Sequence, residues 1–336
     1  MSIHGRAPMQ ILACEAGRSF ATRMTTIHDC ALVPTRETWF SCGEGKMEIG
    51  ANVRGCDVYV VQSIVAPSDP RSAYDRLVML LHAVEAAALS DAEWVTAVLP
   101  YYPCARQDKR KGRTREGISA GLMARMLEAA GARRVVCVEV HNEAIAGMFS
   151  PRTCLLENVY LTNSFSRWLS DEGLCGDTVV APDVGGMERA RRYAATLSAS
   201  LAAISKERDY SAANKVLRAS LIGEVEGHDV LLVDDIIDTA GSVVAAVDEL
   251  KDHGAANITA ACTHAVLSGP AWERLGGVAE RAQREGWRFT VVGTSCISHP
   301  HPPPWYREFP VEPLVAQVVR SINQRGSVTR VSEERR

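Results

Sequence analysis

Asp234 and Asp235 stand side by side, and a third carboxylate, Asp238, follows closely. Acids this crowded repel one another unless a cation or a ligand rich in hydroxyl groups sits among them. The flanking residues narrow the choice. Val230-Leu231-Leu232-Val233 reads as a buried parallel strand that delivers the acids at its carboxyl end. Asp238-Thr239-Ala240-Gly241-Ser242 is a turn of small residues, and Val243–Leu250 reads as the amphipathic helix it opens. The first N–H groups of such a helix lack internal partners and carry the positive end of its dipole. Open α/β sheets bind ligands beyond the carboxyl ends of their strands. The stretch therefore makes a phosphate cradle with acids beside it; the competing view is an ordinary capped helix with solvated carboxylates.

Other residues have the types that would serve such a cradle. Lys206-Glu207-Arg208 opens a polar loop running to Lys215, just past a strand at Ser200–Ile204. Two cations there suit a lid that brings positive charge to a developing transition state, although most charged loops do nothing of the kind. Residues 106–115 carry six Arg or Lys, enough to neutralise a polyphosphate. The alternative for that run is a solvated surface. His141 closes an apolar strand, Arg134–Val140, where a histidine is either packed or a metal ligand. Asp183 precedes Gly185-Gly186 and repeats the order of acid, glycine turn and helix start, which serves capping or anion binding equally. His299 and His301 sit among four prolines and read as a rigid surface loop.

The elements that must position these groups alternate. Strands are expected at Met9–Glu15, Ala31–Val33, Lys46–Ile49, Asp57–Gln62, Trp94–Leu99, Asp177–Ala181, Leu217–Glu224, Ile258–Thr263 and Arg288–Val292. Helices are expected at Gly17–His28, Ala73–Leu89, Gly117–Ala130, Leu161–Leu169, Met187–Leu197, Pro270–Glu285 and Pro313–Asn323. This alternation means an α/β fold with mainly parallel sheets flanked by helices. The two halves share a layout, which points to two tandem domains, 1–155 and 156–325, before a flexible charged tail at 326–336.

With 336 residues and 46% apolar content, the chain can fill two domain cores. A net charge of −3 gives no global basic field, so nucleic acid is not an expected partner. The ten cysteines never form a C-x-x-C pair and suit a reducing compartment. No apolar run reaches membrane-spanning length and the N-terminus has no signal-peptide core, so a cytoplasmic protein is expected, without a membrane partner.

The loop Val233–Ser242 resembles the phosphoribosyl-pyrophosphate loop of type I phosphoribosyltransferases and ribose-phosphate pyrophosphokinases. The wider set is more specific. Asn52-Val53-Arg54-Gly55, Ala105-Arg106-Gln107-Asp108, His141, Pro182-Asp183-Val184-Gly185-Gly186, Lys206-Glu207-Arg208 and Thr263-His264 to Ser268-Gly269-Pro270 occur in that order. From about residue 9 to about 325 the chain resembles the ribose-phosphate pyrophosphokinase (phosphoribosyl-pyrophosphate synthetase) family. The resemblance implies two phosphoribosyltransferase-like domains, the first on the ATP side and the second on the ribose 5-phosphate side. It implies transfer of the β,γ-diphosphoryl group of Mg-ATP to ribose 5-phosphate, giving 5-phosphoribosyl 1-diphosphate and AMP. Lys206 and Arg208 would be catalytic. Phe40, Cys42, Gly43, Glu44, Arg106 and Gln107 would bind ATP, with Phe40 and Glu44 reaching a neighbouring subunit's site. Asp234 and Asp235 would hold the ribose hydroxyls, and Asp238, Thr239, Ala240, Gly241 and Ser242 the 5-phosphate, with Arg208 also on this substrate. His141 and Asp183 would serve Mg2+, and a homo-oligomer, a dimer or hexamer, is implied.

Several positions depart from the family pattern. Cys42 replaces an acid in the Phe40–Glu44 turn, Glu139 replaces an Asp near His141, and Ser242 replaces a Thr. The lid loop is about two residues longer. Val311-Glu312-Pro313 replaces a serine-rich stretch, and a carboxylate there would repel phosphate, so activation by inorganic phosphate is expected to be weak or absent. Two rivals follow: a regulatory paralogue that binds nucleotide or active subunits, and a phosphoribosyltransferase.

Overall fold

Short runs of β-branched and aliphatic residues build the strands of this computed structural model, which describes residues 7–28, 30–208 and 216–333. The chain forms two compact units. One runs to Tyr160 and takes in Ser295–Pro300 and the chain from Pro310 onward; the other comprises Leu161–Thr294 and His301–Phe309.

In the first unit, β1 (Met9–Ala13), β2 (Leu32–Val33), β5 (Asp57–Val61), β6 (Trp94–Leu99), β7 (Arg134–Val138) and β8 (Leu155–Val159) form one sheet in the order β2-β1-β5-β6-β7-β8. Every pairing in it is parallel. β5, Asp-Val-Tyr-Val-Val, is buried at every position, as a strand covered on both faces must be. The helices α1 (Arg18–His28), α2 (Ala73–Leu89) and α3 (Ser119–Ala129) alternate with these strands. Ser72 starts α2 with a reciprocal capping box: its Oγ accepts the Asp75 N–H at 3.1 Å, and Asp75 Oδ2 accepts the Ser72 N–H at 2.9 Å. A separate hairpin, β3 (Thr35–Trp39) with β4 (Gly45–Ile49), is antiparallel and leads through the turn at Phe40–Glu44.

The second unit repeats the plan. After α4 (Thr162–Asp171) come β9 (Thr178–Ala181), α5 (Met187–Leu197), β10 (Ser200–Arg208), β11 (Val216–Ile222), β12 (Val230–Ile237), α6 (Gly241–Asp252), β13 (Ile258–Ala265), α7 (Ala271–Glu285), β14 (Phe289–Thr294) and β15 (Tyr306–Phe309). The sheet order is β11-β10-β9-β12-β13-β14-β15, and only the β10/β11 pair is antiparallel. In each sheet the first strand lies between the second and a later one: β1 between β2 and β5, β9 between β10 and β12. That reversal of order is the switch point where doubly wound sheets open a ligand crevice.

The last helices belong to the first unit. α8 (Glu312–Asn323) packs on α1, and α9 (Val328–Glu333) follows it. Arg23 Nε donates to Glu312 Oε1 at 2.7 Å, Ser295 Oγ donates to Glu312 Oε2 at 2.7 Å, and the Val311 N–H donates to Ser295 Oγ at 2.9 Å. At the other end of α8, Asn323 Nδ2 donates to Asp57 Oδ2 at 2.9 Å and to the Ala7 carbonyl at 3.0 Å.

These units differ from a division at 155/156. β8 completes the first sheet beyond that point, and α8, placed in the second domain on chain order alone, returns to the first unit. The stretch expected to be a flexible tail includes α9, while 334–336 lie outside the described residues. Among the described residues, no helix is long and apolar enough to cross a membrane.

Candidate active site

The second unit assembles the acids and the turn at its switch point. β12 pairs with β9 only through Val230, Leu231 and Leu232, then continues beside β13 alone to Ile237. Asp234 and Asp235 therefore lie within the strand, one turn of the pleat beyond the place where β9 has left, at an open edge. Expecting the strand to stop before the acids undercounts it, because pairing with β13 carries it on. The Asp235 N–H donates to Asp234 Oδ1 at 2.8 Å. Burial, and then the Asp235 charge beside it, push the Asp234 carboxyl up to about 7, with Arg189 pulling the other way.

Arg189 is absent from the residues singled out in the sequence. It lies in the first turn of α5, and its Nη1 stands 3.9 Å from Asp234 Oδ1 and 3.4 Å from Asp235 Oδ1. Its signal is hidden in Arg189-Ala190-Arg191-Arg192, where one arginine faces the acids and Arg191 pairs instead with Glu188 at 2.8 Å.

The turn after the acids is braced from α7. Ala240 adopts a left-handed conformation, φ +60°, which costs a residue with a Cβ some strain. It offers no side-chain cap to α6, so the first N–H groups of that helix, from Gly241 and Ser242, face the turn without one. The Ser268 N–H donates to the Asp238 carbonyl at 3.0 Å, Ser268 Oγ donates to Asp238 Oδ1, and Arg274 Nη1 donates to the Thr239 carbonyl at 2.9 Å. Thr239, Gly241 and Ser242 are exposed, so the cradle is open to a ligand. Neither Ser268 nor Arg274 could be assigned to this turn from spacing, since both come from the next crossover.

Asp183 follows β9 at the same edge of the sheet. It is exposed, and its Oδ1 accepts the Gly186 N–H at 3.0 Å, capping the short turn before α5. Lys206 and Arg208 do not open a loop: β10 runs on through them, paired antiparallel with β11 at Lys206↔Ala219 and Arg208↔Val216. A ribbon replaces the expected loop start because the antiparallel partner satisfies the backbone of a polar stretch. The loop expected as far as Lys215 falls at 209–215, outside the described residues.

In the first unit, Arg106, Gln107 and His141 are exposed beyond the carboxyl ends of β6 and β7. Asn142 Nδ2 donates to Asp108 Oδ2 at 2.5 Å and ties these two strand ends together. β7 stops at Val138, short of the expected Val140, because Glu139 takes φ +38° and re-aims the chain. The Glu139 N–H then donates to the Val159 carbonyl at 3.0 Å and the Val140 N–H to Asn158 Oδ1 at 3.0 Å. The basic run folds round Glu116, which accepts from the Lys111 N–H at 2.6 Å and from Thr114 Oγ1 at 2.8 Å. Phe40, Cys42, Gly43 and Glu44 form the exposed tip of the β3–β4 hairpin, closed by the Phe40 N–H on the Glu44 carbonyl at 2.8 Å. Among the described residues, no cluster of three or more His, Cys, Asp or Glu side chains is arranged to hold a metal ion.

Comparison with known proteins explains the doubled sheet. The profile of the N-terminal domain of ribose phosphate pyrophosphokinase matches residues 9–131, and that of the phosphoribosyl transferase domain matches residues 160–298. The ribose-phosphate pyrophosphokinase of Helicobacter hepaticus is 36% identical over 319 residues, 95% of this chain and 97% of that protein. The chain belongs to the ribose-phosphate pyrophosphokinase family. The Bacillus subtilis member is 34% identical over 328 residues, 97% of this chain and 98% of its own length. The crystal structure of phosphoribosylpyrophosphate synthetase from Mycobacterium smegmatis matches with a TM-score of 0.82 at 31% identity, over 95% of this chain and all of that one. Both units are phosphoribosyltransferase-like, and the chain is a ribose-phosphate pyrophosphokinase by family, an enzyme of phosphoribosyl pyrophosphate synthesis.

Proposed function

We propose that this enzyme transfers the β,γ-diphosphoryl group of Mg-ATP to the anomeric hydroxyl of ribose 5-phosphate. The observation that carries this reading is the acid pair at the open edge of β12, followed directly by a turn whose helix N–H groups have no side-chain cap. In this reading Asp234 and Asp235 accept from the two ribose hydroxyls, and Asp238 through Ser242 hold the 5-phosphate. The bond from the anomeric oxygen to the β-phosphorus forms, the bond from that phosphorus to the α,β-bridging oxygen breaks, and AMP leaves with the electron pair. The hydroxyl proton is released. Such a transfer needs charge neutralisation and alignment more than covalent help. Lys206 and Arg208, at the end of β10, serve as the cations that neutralise the transferred group.

On the ATP side, Arg106 and Gln107 contact the nucleotide, with Phe40, Cys42, Gly43 and Glu44 at a base site completed by another subunit of a homo-oligomer. The exposed carboxylate of Asp183 supplies the hard oxygen donors that suit magnesium, and the exposed imidazole of His141 a nitrogen donor. When bound with ATP, the ion neutralises phosphate charge. A cytoplasmic location follows from the scattered thiols and the metabolic role.

The test is purified protein with ribose 5-phosphate and Mg-ATP, AMP followed by chromatography, beside Lys206→Ala. AMP that depends on ribose 5-phosphate and is lost in the variant is the expected result. One observation favours a second reading, a regulatory paralogue: Cys42 stands exposed at the hairpin tip, where an acid would contact nucleotide. No AMP from ATP, GTP or CTP, with or without phosphate, would establish that reading instead. A phosphoribosyltransferase is disfavoured by the basic run 106–115, which that reaction does not need.

A further inference from the structure

We propose that Arg189 is a positioning residue for the sugar: it holds Asp234 and Asp235 as a matched pair of acceptors and so sets selectivity for a sugar with two adjacent hydroxyls. This rests on the acid pair being the sugar site.

The argument begins with the strand. Successive residues of a strand point to opposite faces, so one group can meet both carboxylates only from the strand's edge. That edge is open at Asp234 and Asp235 because β9 pairs no further than Leu232. The chain leaving β9 turns through Asp183–Gly186 into α5, and the first turn of α5 puts Arg189 into the gap. Its side chain is 16% exposed, against 25% for Asp234 and 8% for Asp235. A guanidinium screened from water compensates two carboxylates far better than a solvated one.

Two neighbouring hydroxyls need two carboxylates that are both ionised and both fixed. Burial and mutual repulsion work against that. Without Arg189, one carboxylate takes up a proton or swings away, and one of the two hydroxyls loses its acceptor. Arg189 touches the acids and the acids touch the sugar, so its effect falls on sugar binding and leaves the nucleotide alone. A site built to bond a hydroxyl discriminates sharply against an analogue that lacks it. The structure therefore assigns to Arg189 part of the preference for ribose 5-phosphate over 2-deoxyribose 5-phosphate.

The experiment uses the full chain as wild type, Arg189→Met and Arg189→Lys. Calorimetry measures binding of ribose 5-phosphate and 2-deoxyribose 5-phosphate, and kinetics measure KM for each substrate. Arg189→Met is expected to weaken ribose 5-phosphate binding about tenfold or more, the loss of one charge-assisted contact. KM for Mg-ATP should stay within about twofold, and the ribose-to-deoxyribose preference should shrink by about fivefold. Arg189→Lys, which keeps the charge, should recover part of both effects. Unchanged sugar affinity in Arg189→Met overturns the proposal. So does an equal loss for the two sugars and Mg-ATP in both variants, which is what a merely structural role produces. Wild type that binds ribose 5-phosphate but forms no AMP refutes the diphosphoryl transfer and leaves the role of Arg189 measurable by calorimetry. Wild type that does not bind the sugar overturns both.

Discussion

Asn at position 234 should make the second unit more stable at neutral pH while weakening its sugar site. In the ligand-free protein the Asp234 carboxyl lies at about 7, raised from 3.8 by burial and by Asp235. A carboxyl raised on folding stabilises fully below its unfolded value, and that contribution is lost as pH rises through the folded value. Between pH 5.5 and pH 8 the wild type should thus lose about 2 kcal/mol from this group, the part falling in that window of the roughly 4 kcal/mol that separates pKa 3.8 from about 7. Asp234→Asn has no such group and should show a correspondingly flatter profile. Urea unfolding in EDTA at the two pH values measures the difference. Four of the six tryptophans, Trp168, Trp272, Trp287 and Trp305, lie in the second unit, so their fluorescence reports the right transition. Parallel profiles for wild type and variant, within about 0.5 kcal/mol, would refute the reasoning, because desolvation and like-charge repulsion at Asp234 would then be absent.

Arg274→Ala removes the donor to the Thr239 carbonyl and should raise KM for ribose 5-phosphate about three- to tenfold, with KM for Mg-ATP unchanged in steady-state assays. Gly17→Ala would bring a Cβ to 2.5 Å from the Val61 carbonyl oxygen and 2.8 Å from Gln62 Cα, backbone that cannot step aside. It should destabilise the first unit by about 1–3 kcal/mol in urea titrations. Glu312→Ala removes the acceptor of Arg23 and Ser295; since Arg23 is 43% exposed and stays hydrated, the cost should be about 1–2 kcal/mol by denaturation. Wild-type activity at fixed free magnesium should not rise severalfold on adding inorganic phosphate. The physical reason, however, is less repulsion than prior engagement, because the Glu312 carboxylate is buried and paired.

Much of this architecture is written in local pattern. Val230–Val233 and Val135–Val138 are apolar runs that can only be covered strands, and the small-residue turn at 238–242 announces a helix start. What stayed hidden depends on partners far along the chain. Thr35–Trp39 is a polar, half-buried strand that pairs with β4 in a hairpin outside the main sheet, so its residues carry no apolar run to notice. Tyr306–Phe309 is four residues long and pairs only at the edge of the second sheet. The Lys206-Glu207-Arg208 run is strand because β11 returns alongside it, a fact no propensity of lysine or arginine contains. In the site, the acids were visible as an oddity of charge, whereas Arg189 looked like one more arginine on a solvated helix face. Only the early departure of β9 shows which arginine fills the gap.

The return of α8 to the first unit has a consequence for how the protein is made. α1 emerges from the ribosome with Arg23 in its first turns, but the carboxylate that receives it, Glu312, is synthesised 289 positions later. Asp57 waits 266 positions for Asn323. The whole of the second unit, its last strand included, has been synthesised before then. Vectorial folding therefore runs against chain order here: the unit that starts first finishes last, and until it does the nascent chain carries an uncovered helix face that a chaperone would be expected to hold.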